Sequence, residues 1–155
     1  MGQYFLMSRR LNKTTAKDFG LCPQSETRAV CESDGTVWQK AELYDFGWGK
    51  ECGYIKLPMP DEKLLFDIVL HSTSEEDVYG AAALITEAYS DALLVVCEDL
   101  LQKKTDVFAM KRLIDIFHLD TPINRSKTLG KELSQIQSDF ERWKAVAKRA
   151  KAFIA

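Results

Sequence analysis

No lysine or arginine occurs between Lys63 and Lys103, although this stretch holds eight acidic residues. Leucine, valine, alanine and isoleucine recur through the same stretch at helical spacing, which excludes a disordered acidic tail. A folded surface of a single negative sign repels nucleic acid and favours a basic partner. The acidic residues are Asp67, Glu75, Glu76, Asp77, Glu87, Asp91, Glu98 and Asp99.

Long apolar runs and paired cysteines are also missing. No run approaches the ~20 apolar residues that span a bilayer. The first six residues lack the basic segment and apolar core of a signal peptide, and Leu6 stands where myristoylation needs Ser or Thr. The cysteines are widely spaced, so we predict free thiols rather than a disulfide framework or a zinc site, in a cytoplasmic protein. They are Cys22, Cys31, Cys52 and Cys97.

Signals of catalysis or of cofactor binding are equally scarce. The two histidines fall in the pairs Asp67–His71 and Asp115–His118, and both spacings favour ordinary surface pairs over metal ligation. The glycine-rich stretch 47–53 does not match G-x-G-x-x-G and has no P-loop lysine. We therefore predict no catalytic, cofactor-binding or metal-binding residue, and no enzyme.

The first 57 residues have the pattern of strands and turns. A hairpin is predicted from Arg28 to Asp45, with Asp34-Gly35 as a type I′ turn between β-branched and aromatic flanks. The stretch 46–49 breaks the second strand, and 52–57 is predicted to form a third. These residues therefore predict a small antiparallel sheet.

From Pro58 onward the spacing becomes helical, so the predicted class is α+β. A single domain, 1–155, is predicted, in which residues 1–57 are rich in strands and loops and residues 58–155 are helical. Helices are predicted to begin at Pro60, at a capping box that spans 74–77, at Ser90 and at Asp106, with the last one starting at Thr121-Pro122. Short loops predict two antiparallel, HEAT-like helical hairpins, 60–89 and 90–119, followed by a long C-terminal helix.

The last segment carries an apolar seam that repeats at alternating spacings of four and three residues. This seam favours a long helix packed across the bundle, in a monomer, over a coiled-coil homodimer. The lysines and arginine near its end match the negative pole of the helix dipole, and without an aromatic stacking platform they do not indicate nucleic-acid binding. The seam comprises Leu129, Leu133, Ile136, Phe140, Trp143, Ala147, Ala150 and Ile154.

The stretch 77–89, followed by Leu93-Leu94 and by 97–100, resembles the helical region of small bacterial immunity proteins of polymorphic-toxin and contact-dependent growth inhibition systems. The resemblance covers about a quarter of the chain, and no individual binding residue is carried over. It implies a stoichiometric inhibitor that binds a cognate toxin domain in the cytoplasm. Many such toxins are nucleases with basic grooves, which an acidic helical face would complement.

The acids that lie outside the capping turn are the predicted partner-binding residues: Glu87, Asp91, Glu98 and Asp99. Trp48 is predicted as an aromatic anchor because glycines flank it and interface hot spots favour tryptophan. Two alternatives remain open, namely a helical-repeat adaptor that binds another basic protein and a small enzyme assembled from scattered residues.

Overall fold

A computed structural model describes residues 2–7, 15–45, 49–103 and 106–154. The chain forms two compact units, an N-terminal unit of residues 1–84 and a C-terminal unit of residues 85–155. Strands precede helices, which confirms the predicted α+β class. The boundary between the units lies within a helix, well after the predicted change at Pro58–Pro60.

The N-terminal unit contains a five-stranded antiparallel sheet. Its strands are β1 Phe5–Met7, β2 Cys22–Pro23, β3 Arg28–Val30, β4 Val37–Asp45 and β5 Lys50–Lys56, in the order β1-β5-β4-β3-β2. Aromatic and aliphatic side chains of the sheet and of the 3-10 helix Ala16–Phe19 bury one another. This core comprises Leu6, Ala16, Phe19, Leu21, Ala29, Trp38 and Tyr54.

The predicted hairpin and third strand are confirmed as β3, β4 and β5, but the type I′ turn is wrong. The Cys31 amide donates to the Thr36 carbonyl (2.9 Å), which leaves four residues in the loop instead of two. Of the Asp34-Gly35 pair only Gly35 has a positive φ, 73°. The Asp34 carboxylate accepts hydrogen bonds from the Thr36 amide (2.9 Å) and hydroxyl (2.7 Å), so Asp34 closes the turn with its side chain.

Five helices follow, and four of them begin within two residues of their predicted starts. They are α1 Glu62–His71, α2 Glu75–Ala88, α3 Ser90–Lys103, α4 Val107–Phe117 and α5 Leu133–Ile154. Asp61 caps α1 by accepting from the Leu64 amide (2.9 Å), and Asp106 caps α4 in the same way. Within the described ranges no single helix is long and apolar enough to cross a membrane. The bent pair of α2 and α3 taken together is long and apolar enough, by length and composition only.

The predicted start of the last helix at Thr121-Pro122 is wrong, because α5 begins at Leu133. Gly130 has φ 80°, which interrupts a helical path, and the Arg125 guanidinium binds the carbonyls of His118 (2.7 Å) and Thr121 (3.3 Å). Because these contacts hold 118–132 outside the helix, the apolar seam divides. Its members Trp143, Ala147 and Ala150 are buried, whereas Leu129 and Leu133 at its start and Ile154 at its end are exposed.

In the C-terminal unit α3 packs against both α4 and α5. α1 and most of α2 belong to the unit that contains the sheet, so the predicted pair of stacked helical hairpins is divided between the two units. The polar contacts between α3, the segment 118–132 and α5 therefore lie within one unit.

Candidate functional site

The first-turn acids of α2 bind the free edge of β1. The Asp77 carboxylate accepts hydrogen bonds from the backbone amides of Gln3, Tyr4 and Phe5, each at 2.9 Å. Glu76 accepts from the Met7 amide at the same distance. β1 is an edge strand of the sheet, and Phe5 and Met7 lie within it, so the two carboxylates satisfy amides of an edge that would otherwise be open for pairing.

The predicted capping box at 74–77 is present only in its first half. The Ser74 hydroxyl accepts from the Asp77 amide (3.3 Å), as expected of an N-cap. The reciprocal bond is missing, because the Ser74 amide donates to the Ser72 hydroxyl (3.1 Å) while the Asp77 carboxylate is occupied by β1. Asp77 therefore joins two elements of the N-terminal unit rather than capping one.

Asp91, at the start of α3, is held by a base from far along the chain. Lys131 Nζ lies 3.0 Å from Asp91 Oδ1 and 2.8 Å from Oδ2 of the buried Asp139, whose Oδ1 accepts from Gln135. Burial works to raise the pKa of Asp91, but hydrogen bonds from Lys131 and Ser126 outweigh it and lower that pKa. The Asp91 side chain remains 52% exposed, so it is fixed in place yet still reaches solvent.

Glu98 and Asp99 also have basic partners. Arg142 of α5 donates two hydrogen bonds to the Glu98 carboxylate, and the bond from Nε is 3.0 Å long. These hydrogen bonds raise the pKa of Arg142. Asp99 pairs with Lys103 one turn further along α3, at 3.1 Å, with both side chains more than half exposed. Two of the four predicted acids, Asp91 and Glu98, are thus bound by bases of the 121–155 segment. The partners lie 40 and 44 residues apart in the sequence.

Glu87 differs from the other predicted acids. It is exposed near the end of α2, and within the described residues it makes no hydrogen bond or ion pair. Bases therefore pair with Asp91, Glu98 and Asp99 in space, while the Glu87 carboxylate has no basic partner among the described residues.

One side of α3 presents an acidic stripe, which we define as Asp91, Val95 and Asp99. Spacing of four residues places successive members on the same side of a helix. The two carboxylates are about half exposed, and Val95 between them is 57% exposed. Glu98 lies to one side of the stripe, where Arg142 holds it.

Trp48, the predicted aromatic anchor, lies outside the described residues together with Phe46 and Gly47. The stretch joins the ends of β4 and β5, where Asp45 pairs with Lys50 in the sheet register. Its role stays a prediction.

A polar cleft of about 490 Å³ opens within the N-terminal unit and includes Asp67 and His71. Asp77 also lines it, but three amides already occupy that carboxylate. Across the described residues no group of three or more His, Cys, Asp or Glu side chains is placed to hold a metal ion, and neither predicted acid–histidine pair is joined by a bond. The cleft thus gathers one imidazole and one open carboxylate.

A second cleft, of about 510 Å³, opens in the C-terminal unit between the end of α3, α4 and the end of α5. Leu101, Met110 and Phe153 supply apolar walls and Arg149 supplies a guanidinium. Its composition is suited to an amphipathic anion, but among the described residues no further polar side chain converges on it except Gln102.

Sequence reasoning missed Val95, Lys131 and Arg142. Val95 belongs to no apolar periodicity of α3, so only its exposure marks it. A signal for the two bases was available, because residues 121–155 hold eight bases and three acids directly after the acidic stretch of the chain. Which base meets which acid depends on how the helices pack, and the sequence does not specify that.

Comparisons with protein-family models, with curated proteins and with solved structures find no match to this chain.

Proposed function

We propose that this protein is an immunity protein, a non-enzymatic inhibitor that binds and neutralises a cognate bacterial toxin domain. The observation that carries the proposal is the acidic stripe, in which two half-exposed carboxylates flank the exposed Val95. Its expected partner is a basic surface, such as the substrate groove of a nuclease. The resemblance of 77–100 to immunity proteins supports the same partner class, and the protein acts as a cytoplasmic monomer.

The support from physical chemistry lies in how the stripe is held. Asp91 is held by Lys131, so little side-chain entropy is lost at that carboxylate when a partner docks, whereas Asp99 makes only an exposed pair with Lys103. Val95 adds apolar area between the charges, where a partner excludes water. Carboxylates at the edge of such a contact raise the association rate and the specificity more than the affinity.

The choice of test positions follows from the ion pairs. Replacing Asp91 or Glu98 with lysine would place like charges against Lys131 or Arg142 and disturb the fold. Glu87 makes no bond to a described residue, and Asp99 would lose only an exposed pair one helical turn apart, typically worth about 0.3–0.5 kcal/mol. Glu87 and Asp99 are therefore the positions at which charge can be reversed without loss of structure.

The experiment measures binding of the purified product of the open reading frame immediately upstream. We expect Glu87→Lys/Asp99→Lys to slow association about tenfold at low ionic strength and less at high ionic strength, because exposed charges are screened by salt. Asp115→Lys is the matched control, since Asp115 is an exposed acid of α4 outside the stripe.

Two outcomes would contradict the proposal. Failure of the upstream product to bind the wild-type protein would remove the immunity function. Binding with equal association rates for the wild type and Glu87→Lys/Asp99→Lys at both ionic strengths would remove Glu87 and the Asp99 end of the acidic stripe from the interface.

A further inference from the structure

Two leucines that precede or begin α5 stand almost entirely in solvent. Leu129 is 96% exposed and Leu133 is 84% exposed, the two highest values among the large exposed hydrophobic side chains of the described residues. A single exposed leucine is ordinary, but two almost fully exposed leucines within five residues of a segment held by hydrogen bonds offer more apolar area to a partner than a lone side chain does. We call Leu129 and Leu133 the leucine knob.

The segment that carries the knob is fixed by several contacts. The Lys131 amide donates to the Thr128 carbonyl (3.1 Å), and Gly130 takes the positive φ of 80° that closes this turn. Lys131 Nζ then binds Asp91 and the buried Asp139. Because Lys131 lies midway between the two leucines in sequence, these bonds hold the knob beside the Asp91 end of the acidic stripe.

We infer that the leucine knob is the apolar anchor of the same interface, seated in an apolar pocket of the toxin domain whose border carries lysine or arginine. The inference rests on the proposed function, because it names the anchor of that interface. The Lys131–Asp91 contact connects the segment that carries the knob to the acidic stripe within the C-terminal unit.

The charges around the knob specify the border of the complementary pocket. Glu132 is exposed next to Leu133 in sequence, and its carboxylate makes no bond to a described residue, while Asp91 is half exposed and bound by Lys131. Lys131 itself is already shared by two carboxylates. Exposed Lys127 is the opposing base of this segment, so the carboxylates outnumber the available cations and the pocket is expected to have a basic border.

The test uses Leu129→Ser/Leu133→Ser in the full chain, with the upstream gene product as the probe. We expect affinity to fall by about 30-fold or more, mainly through faster dissociation, since buried anchors determine the lifetime of a complex. Ile154→Ser is the matched control. It removes a half-exposed apolar side chain at the opposite end of α5, about 30 Å away at 1.5 Å of rise per residue.

The outcomes separate this inference from the proposed function. Equal dissociation rates for the wild type and the double variant, while Glu87→Lys/Asp99→Lys still slows association, would overturn the leucine knob alone. If the upstream product does not bind the wild type, both proposals fail. A wild-type dimer by light scattering that the double variant converts to monomer would show that a second copy of this chain covers the leucines, and would also overturn the inference.

Discussion

Carboxylates of this chain perform three different tasks that their sequence positions do not distinguish. Asp77 accepts three backbone amides and Asp91 is bound by Lys131, whereas Glu87 is exposed and bonds to no described residue. A buried carboxylate is tolerated only where such donors replace water. The task of each acid is therefore determined by the donors that the fold brings to it, and replacing each acid should have a different consequence.

For Asp77 we expect a large loss of stability. Asp77→Asn removes the charge that strengthens three hydrogen bonds, and bonds to charged groups are worth about 1.5–3 kcal/mol each, so the free energy of unfolding should fall by roughly 2–4 kcal/mol. Urea denaturation followed by circular dichroism measures it. Asp67→Asn, at an exposed acid of α1, serves as the control and should change the value by less than about 0.5 kcal/mol. Equal midpoints for both variants would contradict the role of Asp77.

For Asp91 the expected effect depends on pH. Its pKa is lowered in the folded protein, so the stability it contributes is present above the pKa of the unfolded chain, about 3.9, and is lost as pH falls through the folded pKa. The wild type should therefore be more stable than Asp91→Asn near neutral pH, and the difference should shrink below about pH 4. Urea midpoints measured from pH 7 to pH 2 test this, and a difference that does not change over that range would contradict it.

At the scale of elements, local signals predicted most boundaries and long-range contacts accounted for the errors. The caps Asp61 and Asp106 act within one turn of their own helices, so the starts of α1 and α4 could be predicted from sequence. The start of α5 could not be predicted in this way. Arg125 binds the carbonyls of His118 and Thr121 in the segment before the helix, and the positive φ of Gly130 interrupts a helical backbone. The capping box failed for the same reason, since its acid bonds to a strand more than seventy residues earlier.

The packing of α2 on β1 depends on a glycine that the helical pattern did not single out. A Cβ on Gly80 would overlap Cβ, Cγ and Cδ1 of Phe5, and Phe5 is held in place because its backbone amide donates a hydrogen bond to the Asp77 carboxylate. Glycine in a helix costs about 1 kcal/mol relative to alanine, so close approach of the ring is the reason for its presence. The contact is specific to the N-terminal unit.

The effect of Gly80→Ala should therefore change sign with the residue at position 5. In the wild type it should destabilise by about 1–3 kcal/mol through overpacking. In a Phe5→Gly background, where both the ring and the Cβ are absent, the same substitution should be neutral or stabilise by up to about 1 kcal/mol through helix propensity. Unfolding free energies of the four proteins of this double-mutant cycle measure the coupling. Additive effects would show that the ring is not what excludes a side chain.

At the scale of the whole molecule, charge is distributed unequally between the two units. Residues 1–84 hold nine bases and thirteen acids, whereas residues 85–155 hold twelve bases and ten acids. The acidic stripe therefore lies in the unit with the basic excess, where the ion pairs to Lys131 and Arg142 link the acidic and basic stretches of the chain. The α+β class could be predicted from the sequence. The internal contacts of the predicted partner-binding acids could not be predicted, because they depend on how distant segments pack.

Only one of the four cysteines, Cys97, belongs to the C-terminal unit, so its reactivity can report on the packing of that unit. All four are free, and Cys97 is the buried member, on the side of α3 that packs into the unit. Burial raises the pKa of the Cys97 thiol to about 12, so both access and thiolate formation oppose its modification. The other three cysteines belong to residues 1–84.

A variant that carries serine at positions 22, 31 and 52 leaves Cys97 as the sole thiol. We expect a disulfide reagent at pH 8 to modify this thiol at least about a hundredfold more slowly in the folded protein than in concentrated urea, because modification requires opening of the packed helices. Adding Leu129→Ser/Leu133→Ser should leave the rate unchanged, since both leucines are exposed. Adding Asp91→Asn should raise it, since the contact of Lys131 with α3 is weakened. Rapid modification of the folded sole-thiol variant would contradict the packing of α3 against α4 and α5, on which the position of the acidic stripe depends.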